Sequence, residues 1–193
     1  VLVVVTAVSL VAAQDETTKR LSFFGKCPKN FEAFDKTGNF DQFARFEEWD
    51  FFMVSDTENT EYWSMGILDY EPTDAPGVYV NKVVFSTDCV ANNSQILLEV
   101  LIKADGPGKA IAHVIDTPSI TIHAYFLKYI CGKLAYVLLC SESGTAEYPT
   151  RLVATRNNYA ISDCVLGSIW RHEYTHFHKQ GHMRHVLGCP LLV

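Results

Sequence analysis

Charge is scarce in this sequence. Only 20% of its 193 residues are Asp, Glu, Lys or Arg, and 16 basic side chains face 22 acidic ones, for a net charge of -6. Phosphate-binding proteins usually carry a basic footprint, so nucleic acid is not expected as a partner. Long apolar runs are missing too. Past residues 1–13 nothing reaches the roughly 18 apolar residues that suggest a spanning helix, which argues against stable membrane insertion. No Cys-x-x-Cys pair occurs, which disfavours structural zinc and thioredoxin chemistry. Internal repeats and interdomain linkers are also absent. What the chain has is apolar surface to hide: 48% of it is hydrophobic and 12% aromatic, the reverse of a disordered composition. Its length suits one domain with a sizeable core.

Residues 1–13 are apolar apart from Thr6 and Ser9, too short to cross a bilayer, and followed by the polar run 14–20. Val11 and Ala13 supply the small residues of a cleavage site, so a signal peptide ending at Ala13 is expected, with a few residues missing before Val1. The product is then secreted and extracellular. In that compartment Cys27, Cys89, Cys131, Cys140, Cys164 and Cys189 are disulfide candidates, and spacing does not choose among the connectivities. Asn92-Asn93-Ser94 makes Asn92 a glycosylation acceptor.

Turn signals recur at short intervals, as in Pro72-Thr73-Asp74-Ala75-Pro76-Gly77 and Asp105-Gly106-Pro107-Gly108. Between them lie eight strand-like runs, at 48–55, 62–70, 78–86, 95–103, 110–115, 121–130, 134–140 and 150–155. Short strands joined by tight turns describe an all-β meander. Closure into a barrel removes the sheet's edges and leaves room for one small ligand; a two-sheet sandwich with a filled core is the alternative. The period then changes. Ile161, Val165 and Ile169 fall four apart, beside Leu166 and Trp170, which predicts an amphipathic helix over 163–177 with Ser162 or Asp163 as its cap and Gly181 near its end. Four segments follow: a leader (1–13), a flexible stretch (14–24), the barrel and helix (25–180), and a tail (181–193) that needs an anchor.

Several short motifs occur in a telling order. Gly25-Lys26-Cys27-Pro28, Asn39-Phe40-Asp41 with Phe43, Phe46-Glu47-Glu48-Trp49, the segment Tyr62 to Pro72, the strand ending in Cys140 and Leu152-Val153-Ala154-Thr155-Arg156 resemble the lipocalins. They resemble in particular the branch of apolipoprotein D, the insect bilin-binding proteins and crustacyanin. At the first-strand motif this chain has Glu47 where that family has Gly, and it has Met65 where a family cysteine is common. The resemblance implies an eight-stranded antiparallel up-and-down β-barrel, the lipocalin calyx, with one C-terminal α-helix packed outside. It implies a Cys27–Cys140 disulfide, with Cys164 as the other candidate partner of Cys27. It also implies that Trp49 and Arg156 meet at the closed end of the barrel, the guanidinium over the ring; an ion pair between Glu47 and Arg156 would offset the missing Gly.

The function implied is that of a non-enzymatic carrier, monomeric or weakly dimeric, needing no cofactor but able to hold a pigment or lipid. A tetrapyrrole, carotenoid, retinoid, fatty acid or steroid would suit it. A storage or structural protein of the same fold is the alternative. Candidate cavity residues are Phe51 and Met53 on the face of Trp49, Leu68 and Tyr70, Tyr79 and Phe85, Tyr125 and Leu127, and Tyr136 and Leu138. One motif points elsewhere. His172-Glu173-Tyr174-Thr175-His176 places two histidines one helical turn apart, with His182 at the third-ligand interval of astacin-like metallopeptidases. Lys179 stands where those enzymes have Gly, so His172, His176 and His182 are weak metal candidates, with Glu173 as the base of a less favoured peptidase reading.

Overall fold

Alternating burial along the β-branched and aromatic runs builds the molecule. In a computed structural model, residues 21–29, 31–55, 65–86, 95–156 and 159–186 are described. Cys89, Asn92, Cys189 and the expected leader lie outside them. The described strands are β1 (Glu48–Ser55), β2 (Met65–Pro72), β3 (Val78–Ser86), β4 (Gln95–Ala104), β5 (Lys109–Val114), β6 (Thr121–Ile130), β7 (Leu134–Ser141), β8 (Thr150–Thr155) and β9 (Met183–His185). Among the described residues these strands are accompanied by the short helix α1 (Phe40–Ala44) before β1 and by α2 (Asp163–His176) after β8. Ser162 caps α2, its side chain accepting from the Val165 amide, which satisfies one orphan donor of the first turn.

Every strand from β2 to β8 is hydrogen-bonded to its sequence neighbour, and β1 lies between β8 and β2, so eight antiparallel strands close into a barrel with α2 packed outside. The closing seam is short: Glu48, Trp49 and Asp50 pair with Asp69, Leu68 and Ile67. Beyond it β9 takes up β1, pairing Met53, Val54 and Ser55 with His185, Arg184 and Met183. β9 therefore anchors the tail and covers an edge that would otherwise be left unpaired.

Two apolar cores result. The first fills the barrel and contains Trp49, Phe51, Leu68, Tyr70, Val100 and Leu152. The second lies between the outer wall and α2 and contains Met53, Leu134, Tyr136, Leu138, Val153, Ile169 and Phe177. Val165, Ile169 and Glu173 give α2 its inward stripe, while Trp170 is 40% exposed, on the outer side. Cys27 is bonded to Cys140, tying the entry segment to β7 across 113 residues. Cys131 and Cys164 are free and exposed.

A buried ion pair clamps α2 to the wall. Arg151 of β8 is wholly buried, and its Nε donates at 3.0 Å to both carboxylate oxygens of Glu173. Its Nη2 donates to the Gly181 carbonyl at 3.0 Å, and its guanidinium lies 5.0 Å from the Phe177 ring centre. The Tyr136 hydroxyl also donates to Glu173. Two buried charges are tolerated here because their hydrogen-bonding capacity is met inside the protein.

Candidate functional site

The interior of the barrel holds an apolar cavity of about 60 Å³. Its walls are Leu68 and Tyr70 of β2, Asn81 and Val83 of β3, Leu98, Val100 and Ile102 of β4, Ala110 and Ala112 of β5, Ile122, Ala124 and Phe126 of β6, Val137 and Leu139 of β7, and Leu152 of β8. Small side chains on β5 leave the space that larger ones opposite would fill.

Chain from before β1 lines the cavity at both ends. At the end where β1 starts, α1 contributes Phe40 and Phe43, and Phe43 stacks on Trp49 with ring centres 4.3 Å apart. Near the end where β7 runs into β8, Phe24 enters the lining. Phe23 and Phe24 are 8% and 7% exposed. Their segment is held by the Thr150 hydroxyl donating to the Phe23 carbonyl, by the Ala146 amide donating to the Phe24 carbonyl at 3.1 Å, and by the Ser141 amide donating to the Gly25 carbonyl at 3.0 Å. The approach is so close that a Cβ on Gly144 would sit 2.2 Å from the Phe24 carbonyl oxygen. Phe24 thus acts as a plug at this end of the lining. The apolar trio Leu21, Phe23 and Phe24 beside Gly25 was the signal available in the sequence.

Of the expected cavity residues, Leu68 and Tyr70 line the space. Phe51, Tyr79 and Phe85 pack in the same inner cluster without lining it. Met53, Tyr125, Leu127, Tyr136 and Leu138 are placed differently: all five belong to the outer cluster under α2. This placement has two causes. A bulge between Phe51 and Met53 inserts a residue and reverses the parity of β1, so Met53 turns outward while Val54 turns in. On β6 and β7 both faces are apolar, because the barrel covers one and α2 the other. The two-residue period groups the side chains but cannot name the inner set, which is Ala124 and Phe126 with Val137 and Leu139.

Arg156 lies over Phe46. Its guanidinium lies 4.7 Å from the Phe46 ring centre, and Phe46 in turn meets the Trp49 ring edge-on at 6.0 Å. The cation therefore reaches Trp49 through Phe46 instead of covering it. Trp49 donates its indole N–H to the Phe43 carbonyl at 3.1 Å. No Glu47–Arg156 ion pair forms among the described residues. Glu47 itself is at φ 62, so it occupies the left-handed conformation that glycine takes freely.

The His-Glu-x-x-His motif does not form an open metal centre. Glu173 is buried against Arg151 and Tyr136, with no free face for a general base. His172 points toward the wall, its Nδ1 3.4 Å from the Tyr136 hydroxyl and its ring 4.6 Å from that of Phe34. Burial, with His176 beside it, pushes its pKa down to about 4. The His172 and His176 rings lie 4.5 Å apart, but His182 does not complete a group of three with them. Among the described residues the sole group of three metal-type ligands is Cys27, His123 and Glu142, and Cys27 is in a disulfide.

No protein-family model matches the chain, and no curated protein matches its sequence. Solved structures do match its shape. Apocrustacyanin C1 superposes with a TM-score of 0.56 at 10% identity, covering 87% of this chain and 93% of the other. Lipocalin 12 from rat epididymis gives 0.55 at 11%, over 77% and 83%. The fold is the lipocalin calyx. Insecticyanin from the tobacco hornworm Manduca sexta matches at 0.53 and 12% identity, over 81% and 82%. At such identities the likeness establishes the lipocalin fold and does not separate its branches. No helix among the described residues is long and apolar enough to cross a membrane.

Proposed function

We infer that the protein is a secreted carrier that holds one small hydrophobic molecule in the calyx. The observation that carries this reading is the cavity inside the barrel, whose lining is apolar apart from Asn81 and the Tyr70 hydroxyl. Such a site gains roughly 0.8 kcal/mol per buried CH₂ and uses its few polar groups for orientation. The Cys27–Cys140 disulfide supports an oxidising, extracellular setting. The order of sequence motifs favours the apolipoprotein D, insect bilin-binding and crustacyanin branch, and with it a tetrapyrrole, carotenoid, retinoid, fatty acid or steroid.

Size narrows how such a ligand fits. A cavity of about 150 Å³ suffices for benzene, so a space of about 60 Å³ admits an extended molecule only if a wall moves. Phe24, Phe40 and Phe43 are the lining residues that lie outside the strand ladder. The small volume also supports a second reading, a storage or structural protein with a nearly filled barrel. The protein purified from its native source distinguishes them. An organic extract should yield an apolar compound below a kilodalton, coloured if it is a pigment, in stoichiometric amount. An extract free of any such compound favours the storage protein.

A further inference from the structure

We propose that the calyx selects an uncharged ligand with a single hydrogen-bonding end group, a hydroxyl or carbonyl, which enters first and docks on Tyr70 and Asn81. This rests on the carrier reading and names the ligand class for the same cavity.

Tyr70 and Asn81 face each other across β2 and β3 as direct register partners, which places their side chains about 5 Å apart on one face. Both line the cavity, and both are nearly buried, at 5% and 4% exposed. The Asn81 Nδ2 donates to the Asp69 carbonyl at 3.0 Å, which fixes the carboxamide and leaves its oxygen turned to other partners. Neither that oxygen nor the Tyr70 hydroxyl has a hydrogen-bond partner among the described residues. Burial pushes the Tyr70 pKa up, so the phenol stays a neutral donor and acceptor. Together the two groups offer one donor and two acceptors to one guest atom or water.

Nothing else in the described lining is polar, and nothing in it is charged. An ionised carboxylate brought here would lose its water and meet no cation, a cost that excludes the anion. An alcohol or ketone loses far less and regains its hydrogen bond. Tyr70 sits 6.0 Å from Phe40 and 5.4 Å from Phe43, ring to ring, at the α1 end. The polar end therefore lies deep, and the apolar tail points back toward Phe24.

Three probes of equal chain length test this: octanol, octanoate and octane, titrated into the intact protein near pH 7.5 and followed by methyl chemical shifts. Octanol should bind about tenfold more tightly than octanoate and about fivefold more tightly than octane. Tyr70→Phe and Asn81→Leu, singly and together, should erase the advantage of octanol over octane, because the wall they leave has no hydrogen-bonding group for the alcohol. Tyr70→Phe removes a hydroxyl with no protein partner, so its folding, checked by thermal unfolding, should be unaffected. Octanoate binding as well as octanol overturns the proposal, as does an alcohol preference that survives Tyr70→Phe with Asn81→Leu. Binding of the probes without discrimination overturns the selectivity alone. Binding of none of them removes the carrier reading and the selectivity together.

Discussion

Glu47 shows how one backbone conformation can preserve a motif after its residue has changed. A non-glycine residue in the left-handed region costs on the order of 1 kcal/mol, and the exposed Glu47 side chain has no ion pair with Arg156 to offset it. Glu47→Gly should therefore raise stability by less than about 1 kcal/mol, read from chemical denaturation, because the added freedom of the unfolded chain offsets part of the relieved strain. His172 gives a second residue-scale expectation. Its folded pKa of about 4 lies below its ordinary value of 6.5, so between those values the unfolded chain binds more protons than the folded one. The stability that neutral His172 permits is complete above about pH 6.5 and declines as pH falls toward 4. Tyr136, Glu173, Arg151 and His176 are its ionisable neighbours. His172→Gln should flatten the decline in melting temperature across that window; an unchanged slope would assign the acid sensitivity to other groups.

At the scale of elements, the buried ion pair and the Phe24 plug carry different burdens. Glu173→Gln leaves the Arg151 charge buried without a counter-charge and should cost about 3 kcal/mol, with α2 exchanging its amide hydrogens faster than the barrel does. Phe24→Ala should also destabilise, by about 3 kcal/mol. Unlike the Glu173 change, it should widen the calyx and strengthen binding of ligands larger than octanol. Much of this layer was legible beforehand. The bounds of β1, β3, β6 and β8 coincide with their expected runs, because turn residues flank alternating apolar ones on both sides. β9 was not legible: three residues with Arg184 at the centre show no period, and their pairing depends on the edge that β1 presents. Nor could α2 reveal that Glu173 turns inward. An acidic residue on a helix reads as solvated until a buried Arg151 stands opposite, and that partner is distant in sequence.

For the whole molecule, hollowness and stability come from the same closed ladder. A barrel satisfies its strands edge to edge and can leave its centre unfilled, whereas a sandwich must fill the space between its sheets. The Cys27–Cys140 bond closes a loop of 113 residues and should contribute about 4 kcal/mol, measured by denaturation with and without reductant. It also holds the Phe24 segment near its seat, so reduction should loosen the plug before the barrel. The interior lining was the least legible part of the site, since a strand covered on both sides displays two apolar faces. Nuclear Overhauser contacts between bound octanol and assigned methyl groups resolve that question together with the existence of the site. The ligand should contact Val83, Val100, Ile122, Leu139 and Leu152, with none to Leu127, Leu134 or Leu138 beneath α2. Contacts confined to the outer set, or saturating octanol that touches no interior methyl, would contradict a hollow, ligand-holding barrel.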